Sequence, residues 1–276
     1  VCADLREFFP ALAERLGAFK ADKKWLDYCK NMRAKYAFEN VPEYRQGKGA
    51  PVNVYNLTHT LTAVADPEDI FVVANGSPCI CTCQCAVTKK GQRMFLNSGD
   101  ASMGYDLPAA IGAAVANPDK KIICYTGDGS IMMNIQELQT IIHHKMGIKI
   151  FIINNGGYHS IRQTQKSFFG EPLVGVGYDS GDLSFPDMEK LSAAYGYPYV
   201  RAEHNGQLAE AVEKTLAMEG PVICEIIVST DQNFEPKSSA KRLPDGTLVS
   251  PPLEDMAPFL PDEEMDENMI IPRIKG

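Results

Sequence analysis

The stretch IICYTGDGSIMMN, residues 122–134, decides the fold. Apolar residues run without alternation into Gly127-Asp128-Gly129-Ser130, and a helical pattern begins directly after them. An unbroken apolar run of this kind fits a strand covered on both faces. A carboxylate between two glycines at the mouth of such a strand repels phosphate unless a cation lies between them. The rest of the chain then has to supply that cation's other ligands.

Downstream, IKIFIINNGG reads as a second strand covered on both faces, ending in Asn154-Asn155-Gly156-Gly157. Between the two, NIQELQTIIHHKMG predicts an amphipathic helix with Ile135, Leu138, Ile141 and Ile142 facing inward and Gly147 closing its end. Upstream, VNVYNLTHTLTAVA is helix-like, DIFVVANG is a short apolar strand, and LPAAIGAAVANP is a small-residue helix suited to close packing on a sheet. SFPDMEKLSAAYG, YPYVRA, NGQLAEAVEKTLAM and GPVICEIIVST continue helix, strand, helix, strand. This alternation predicts an α/β fold, a doubly wound parallel sheet with helices on both faces. Ligands of such sheets bind at the carboxyl ends of the strands.

Adjacent parallel strands end on the same edge. Asp128 and Asn155, with 26 residues between them, can therefore converge. A carboxylate and an amide oxygen are hard ligands suited to Mg²⁺ or Ca²⁺, and Mg²⁺ commonly completes its shell with substrate phosphates. Gly127 and Gly129 leave room for close backbone approach. The amides of Gly129 and Ser130, at the start of the next helix, can donate to phosphate oxygens. GDG or NNGG alone is a common turn; it is the pair, each after an apolar strand, that points to a site.

GDGS followed by NN at this interval resembles the diphosphate-binding signature of thiamine diphosphate-dependent enzymes. NSGDASMGYDLPAAIGAAVANP resembles the segment preceding that signature in the acetolactate synthase-like group. VCADLREFFPALAERL resembles the end of that group's middle domain, and GPVICEIIVSTDQNFEP its closing strand. The resemblance covers nearly the whole chain and implies the C-terminal, diphosphate-binding part of a large catalytic subunit. It implies Asp128, Asn155 and the carbonyl of Gly157 as Mg²⁺ ligands. It implies cofactor contacts from Gly76, Gly127, Gly129 and Ser130 to the diphosphate. Met103 would prop the cofactor in its bent form, and the Ala101 carbonyl would meet its amino group. The implied reaction is decarboxylation of a 2-oxo acid, with transfer to a second carbonyl acceptor or to a proton. The alternatives are a simple 2-oxo acid decarboxylase, a separately encoded subunit, or, more remotely, a non-catalytic nucleotide-binding module.

The glutamate that starts this chemistry in the family belongs to a pyrimidine-binding domain with no counterpart in this sequence. The chain is therefore expected to be a piece of a longer polypeptide or to need a partner chain, and to be inactive alone. A dimer or tetramer is expected, because the family's site lies between subunits. A flavin site (FAD) in the full-length protein would fall mostly outside this stretch. Ser77-Pro78 stand where acetolactate synthases carry Gln-His, and Thr164 where they carry a tryptophan. In GGYHSIRQTQ, Tyr158, His159 and Arg162 are candidates for meeting a substrate carboxylate. His59, His143, His144 and His204 read as helix-face or loop residues.

The domain reading is residues 1–48 as the end of a preceding domain plus linker, 49–236 as the diphosphate and Mg²⁺ domain, and 237–276 as a Pro-rich acidic arm or tail. In the first part, Leu5, Phe8, Phe9, Leu12 and Leu16 form one helical stripe. A second helix and a connector ending at GKGAP follow. The 276 residues include 45% hydrophobic and 22% charged residues, ordinary for a chain that buries a core. The formal net charge of −8 argues against nucleic acid or an anionic membrane as the main partner. No run approaches the roughly 20 apolar residues of a bilayer span. Eight cysteines without a secretory signal suggest reduced thiols in the cytoplasm. Cys79, Cys81, Cys83 and Cys85 alternate, which predicts a strand with the four thiols on one face.

Overall fold

The computed structural model describes residues 2–41, 44 and 47–273. Part of the connector before GKGAP lies outside them. The chain divides into two compact units, residues 1–41 and 42–276.

The first unit holds α1 (Leu5–Leu16) and α2 (Lys23–Tyr36). Each begins at an aspartate whose carboxylate accepts backbone N–H groups: Asp4 from Arg6, and Asp22 from Lys24 and Trp25. The stripe of α1 is where the sequence puts it. Leu5, Phe9, Leu12 and Leu16 are exposed and Phe8 is half-buried.

The second unit is built on six parallel strands in the order β2-β1-β3-β4-β6-β5. They are β1 (Ile70–Val73), β2 (Arg93–Leu96), β3 (Ile122–Gly127), β4 (Ile148–Asn154), β5 (Tyr199–Ala202) and β6 (Val222–Ile227). The register aligns Val72, Cys124, Ile150 and Ile223 in one row across the sheet. That row's face packs with Leu107 and Ala110 of α5 (Asp106–Ala116), Leu138 and Ile141 of α7 (Glu137–His143) and Met188 of α9 (Met188–Tyr195). α3 (Val54–Val64), α4 (Ser77–Cys85) and α10 (Asn205–Ala217) serve the opposite face. There the Tyr125 hydroxyl lies 2.9 Å from Thr58 Oγ1. The doubly wound parallel sheet expected from the sequence is therefore observed. Phe151 in β4 is fully buried on that second face. Phe151→Ala is expected to cost about 3–5 kcal/mol of stability, read from the urea midpoint, because the neighbouring strands cannot collapse into the void.

Two local expectations are corrected, and one element was not foreseen. The alternating cysteines lie on α4, not on a strand. Gly76, at φ +76°, turns the chain out of β1, and Pro78 sits in the first helical turn. The deeper cause is topology: β1 and β2 pair in parallel, and a parallel pair needs a crossover, which α4 supplies. Cys79 and Cys81 are buried and Cys83 is exposed, and all eight cysteines are free thiols. Secondly, α7 is closed not by Gly147 but by Lys145, which takes the left-handed conformation at φ +53°. The four-residue edge strand β2 has no counterpart in the sequence reading.

The acidic C-terminal stretch is ordered over residues 237–273. It forms a hairpin of β7 (Lys241–Arg242) and β8 (Leu248–Val249), then α11 (Asp262–Asn268). Met265 and Asp255 are buried. Just ahead of it, the backbone N–H of Glu235 donates to the Tyr55 hydroxyl at 2.7 Å.

Candidate active site at the carboxyl edge of the sheet

The chain leaves β1 in one direction to form β2 and returns on the other side as β3. This reversal makes a switch point, where open α/β sheets place their ligands. A cleft of about 160 Å³ lies at this position. That is below the ~300–1,000 Å³ of complete small-molecule pockets. All nine residues singled out for cofactor contact line it: Gly76, Ala101, Met103, Gly127, Asp128, Gly129, Ser130, Asn155 and Gly157. So do Asn75, Ser77, Tyr158, His159 and Ser160, while His59, His143, His144 and His204 do not.

Asp128 opens the short helix α6 (Asp128–Ile131) and is 2% exposed. Its Oδ1 accepts from Gly129 N at 2.8 Å and its Oδ2 from Gly157 N at 2.9 Å. Burial nevertheless dominates and pushes its carboxyl up to about 7, against the opposing pull of these donors. Asn155 is buried as well. Its Nδ2 donates to Ser77 Oγ at 3.2 Å, and its Oδ1 has no hydrogen-bond partner among the described residues. An orphaned buried acceptor in the same cleft as a desolvated carboxylate is an electron-rich pair without a positive counterpart. Among the described residues no three His, Cys, Asp or Glu side chains gather as a metal site. A cation here would therefore depend on amide and backbone oxygens as well.

The loop 154–157 is fixed from several sides. Asn154 Nδ2 donates to the buried Glu225 of β6 at 2.7 Å, and Asn154 Oδ1 accepts from Gly156 N at 3.1 Å. Tyr158 N donates to Val176 O at 2.7 Å, and Gly157 bridges Gly177. Gly157 has φ +134°, and a Cβ there would overlap the Val176 carbonyl. Gly129 is required for a different reason: the Tyr158 ring occupies the space of its missing side chain.

Across the cleft, Ala101 takes a left-handed conformation at φ +56°, rare for a residue with a side chain. Its carbonyl accepts from Asn75 Nδ2 at 2.6 Å. Gly104 N, nearby in sequence, donates to Ser130 Oγ at 2.9 Å. Met103 is 41% exposed, so it is not a core residue.

Of the three candidate substrate contacts, Tyr158 and His159 line the cleft and Arg162 does not. Arg162, on α8 (His159–Phe168), is only 2% exposed and does not line the cleft. Its guanidinium pairs with Asp179 at 2.7 Å and donates to the carbonyls of Asn155 and Gly156. Both terminal nitrogens of Arg162 are thus engaged by the protein itself. His159 lies against the cleft, but Nδ1 faces Arg162 Nη1 at 3.2 Å and Nε2 faces Gln232 O at 2.8 Å. Arginine only donates, so Nδ1 accepts and the proton sits on Nε2. Burial holds this imidazole below its usual range. Sequence reasoning missed Asn75 and Asp179. Asp179 gave no signal, being 17 positions from Arg162 in an unremarkable Tyr-Asp-Ser-Gly turn.

Comparison with known proteins fits this geometry. The profile of "Thiamine pyrophosphate enzyme, C-terminal TPP binding domain" matches residues 74–226, more than half of the chain and every residue at the cleft. The chain belongs to this family of thiamine diphosphate-binding domains. Among its relatives, the large subunit of acetolactate synthase from Cyanidium caldarium is 41% identical over 51% of this chain and 23% of that protein. The corresponding subunit from Corynebacterium glutamicum is 30% identical over 87% of this chain and 38% of its own length. Isozyme 1 of Escherichia coli is 28% identical over 67% and 32%. The chain thus spans between about a quarter and two-fifths of these relatives. Among the described residues no helix is long and apolar enough to cross a membrane.

Proposed function

We propose that this chain is the diphosphate- and Mg²⁺-binding part of a thiamine diphosphate-dependent lyase or transferase acting on a 2-oxo acid. The observation that carries the reading is the pairing of the buried Asp128 carboxylate with the orphaned Asn155 Oδ1 in one cleft. Asp128, Asn155 and the Gly157 carbonyl would hold the cation, and the cation would hold the diphosphate. Gly76, Gly127, Gly129 and Ser130 would line the diphosphate, and the exposed Met103 would support the rest of the cofactor. When bound, thiamine diphosphate supplies the electron sink for breaking the bond to the carboxylate carbon. The protein's share is position, charge and exclusion of water.

The small cleft supports the view that a second protein part completes the site. That part would bring the pyrimidine-binding domain and its activating glutamate, from the same polypeptide or from another chain of a cytoplasmic oligomer. Any flavin site would belong there too. The domain limits 49–236 and 237–276 stand as proposals of the same kind.

A second reading concerns the acceptor. Thr164 is exposed and its hydroxyl bonds back to Ser160 O, so it builds no wall for an acceptor. Ser77 is engaged with Asn155. This favours simple decarboxylation, or an acceptor other than that of acetolactate synthases. Calorimetric titration with thiamine diphosphate, with Mg²⁺ and then with chelator, tests the main reading. Binding that needs Mg²⁺ is the expected result. Lack of binding both to this chain and to a longer polypeptide carrying a pyrimidine domain contradicts it.

A further inference from the structure

We propose that Arg162 is a positioning residue that holds the cation loop in its ligating shape, an inference that rests on the function proposed above. Nη1 donates to Asn155 O at 3.2 Å, and Nη2 donates to Gly156 O at 3.1 Å. Those are the carbonyls of the proposed ligand Asn155 and of the residue before Gly157. On its other side the guanidinium meets Asp179, with Nη2 at 2.9 Å from Oδ1 and Nε at 2.7 Å from Oδ2. Nη1 also reaches His159 Nδ1 at 3.2 Å.

The arrangement is a strap. One planar group ties the end of β4, the first turn of α8 and the 176–180 segment that bridges Gly157. Two consecutive carbonyls drawn toward one cation fix the peptide planes on either side of Gly156, which sits at φ +69°. With those planes fixed, Asn155 Oδ1 keeps a direction in which no protein group satisfies it. A fork of five donors suits this task, and a lysine ammonium does not reproduce it. Burial is the largest influence and opposes charge on Asp179, but the hydrogen bonds and charge of Arg162, together with a backbone hydrogen bond and the charge of Lys166, outweigh it and hold that carboxyl below its usual range. Asp179 therefore stays a carboxylate. Supports of this type, one shell behind a metal, typically change metal affinity by roughly 10–100-fold.

The test uses Arg162→Gln and Arg162→Lys. Asp179 is 39% exposed, so removing its partner strands no buried charge, and the variants are expected to fold. Titration with Mg²⁺ at fixed thiamine diphosphate is read together with amide exchange. The expected result is a Mg²⁺ affinity about 10–100-fold weaker in Arg162→Gln and less so in Arg162→Lys. Saturating Mg²⁺ restores cofactor binding. Exchange accelerates at Gly156 and Gly157 but not in β3 or β4. Asp179→Asn moves the same quantities in the same direction, and adds little on top of Arg162→Gln. Unchanged Mg²⁺ affinity, or unchanged exchange in the loop, overturns the proposal. A variant that binds Mg²⁺ normally and raises only the KM for a 2-oxo acid overturns it in favour of substrate contact. Wild-type protein that binds no Mg²⁺, either as this chain or within a longer polypeptide carrying a pyrimidine domain, is a different outcome, which removes the functional reading itself.

Discussion

Asp128→Asn is expected to abolish Mg²⁺-dependent cofactor binding and at the same time to stabilise the metal-free chain above pH 7. Both effects come from one buried carboxylate. Its folded carboxyl is pushed up to about 7, whereas in the unfolded chain it titrates near 3.8. Between those values the folded state holds a proton that the unfolded state has lost, so stability falls as pH rises through this window. The whole penalty is about 4 kcal/mol at 1.36 kcal/mol per unit, as an order of magnitude. Asparagine carries no charge to desolvate and can still accept from Gly157 N. It loses only the acceptor for Gly129 N. At pH 8 without metal, the variant is expected to unfold at higher urea than wild type by about 2–4 kcal/mol, a difference that vanishes near pH 4. Adding Mg²⁺ and thiamine diphosphate stabilises wild type by about 2.7 kcal/mol at a hundred times the Kd and leaves the variant unmoved. A variant that still binds with Mg²⁺, or that is less stable at pH 8 than at pH 4 by as much as wild type, contradicts this assignment.

Gly157→Ala is expected to remove cofactor binding by another route. The backbone at φ +134° is strained for any side chain, and the new Cβ would overlap the Val176 carbonyl. The bridge to Gly177 must open, and with it the hydrogen bond from Gly157 N to Asp128. Backbone strain alone costs about 1–3 kcal/mol. With the lost contacts, a melting point lower by several degrees and a cofactor affinity at least 100-fold weaker are expected. Gly127→Ala is the informative control. Gly127 is extended at φ −112°, and a Cβ there comes no nearer than 4.0 Å to Ile153 O. It should keep the fold and lose affinity only through crowding of the ligand. Equal losses of stability in the two variants would refute the distinction.

The parallel sheet was legible because β3, β4 and β6 are nearly continuous apolar runs with helices between them. Asp128 and Asn155 were legible for the same reason, since each follows the end of such a strand. The helix α4 was not. Its alternating cysteines have a strand's period, and only the parallel pairing of β1 with β2 requires a crossover there. β2 escaped because four half-buried residues at a sheet edge leave little pattern. The partner that the structure gives Arg162 was not legible. A guanidinium suits a carboxylate, and nothing local says that the carboxylate is Asp179 of the same chain.

The most direct measurement is anomalous diffraction from crystals grown with thiamine diphosphate and Mn²⁺ in place of Mg²⁺. The account predicts one Mn²⁺ peak bound by the Asp128 carboxylate, Asn155 Oδ1 and the Gly157 carbonyl, with diphosphate density beside Gly129 and Ser130. Cofactor density elsewhere, or Mn²⁺ bound without Asp128 and Asn155, would contradict it.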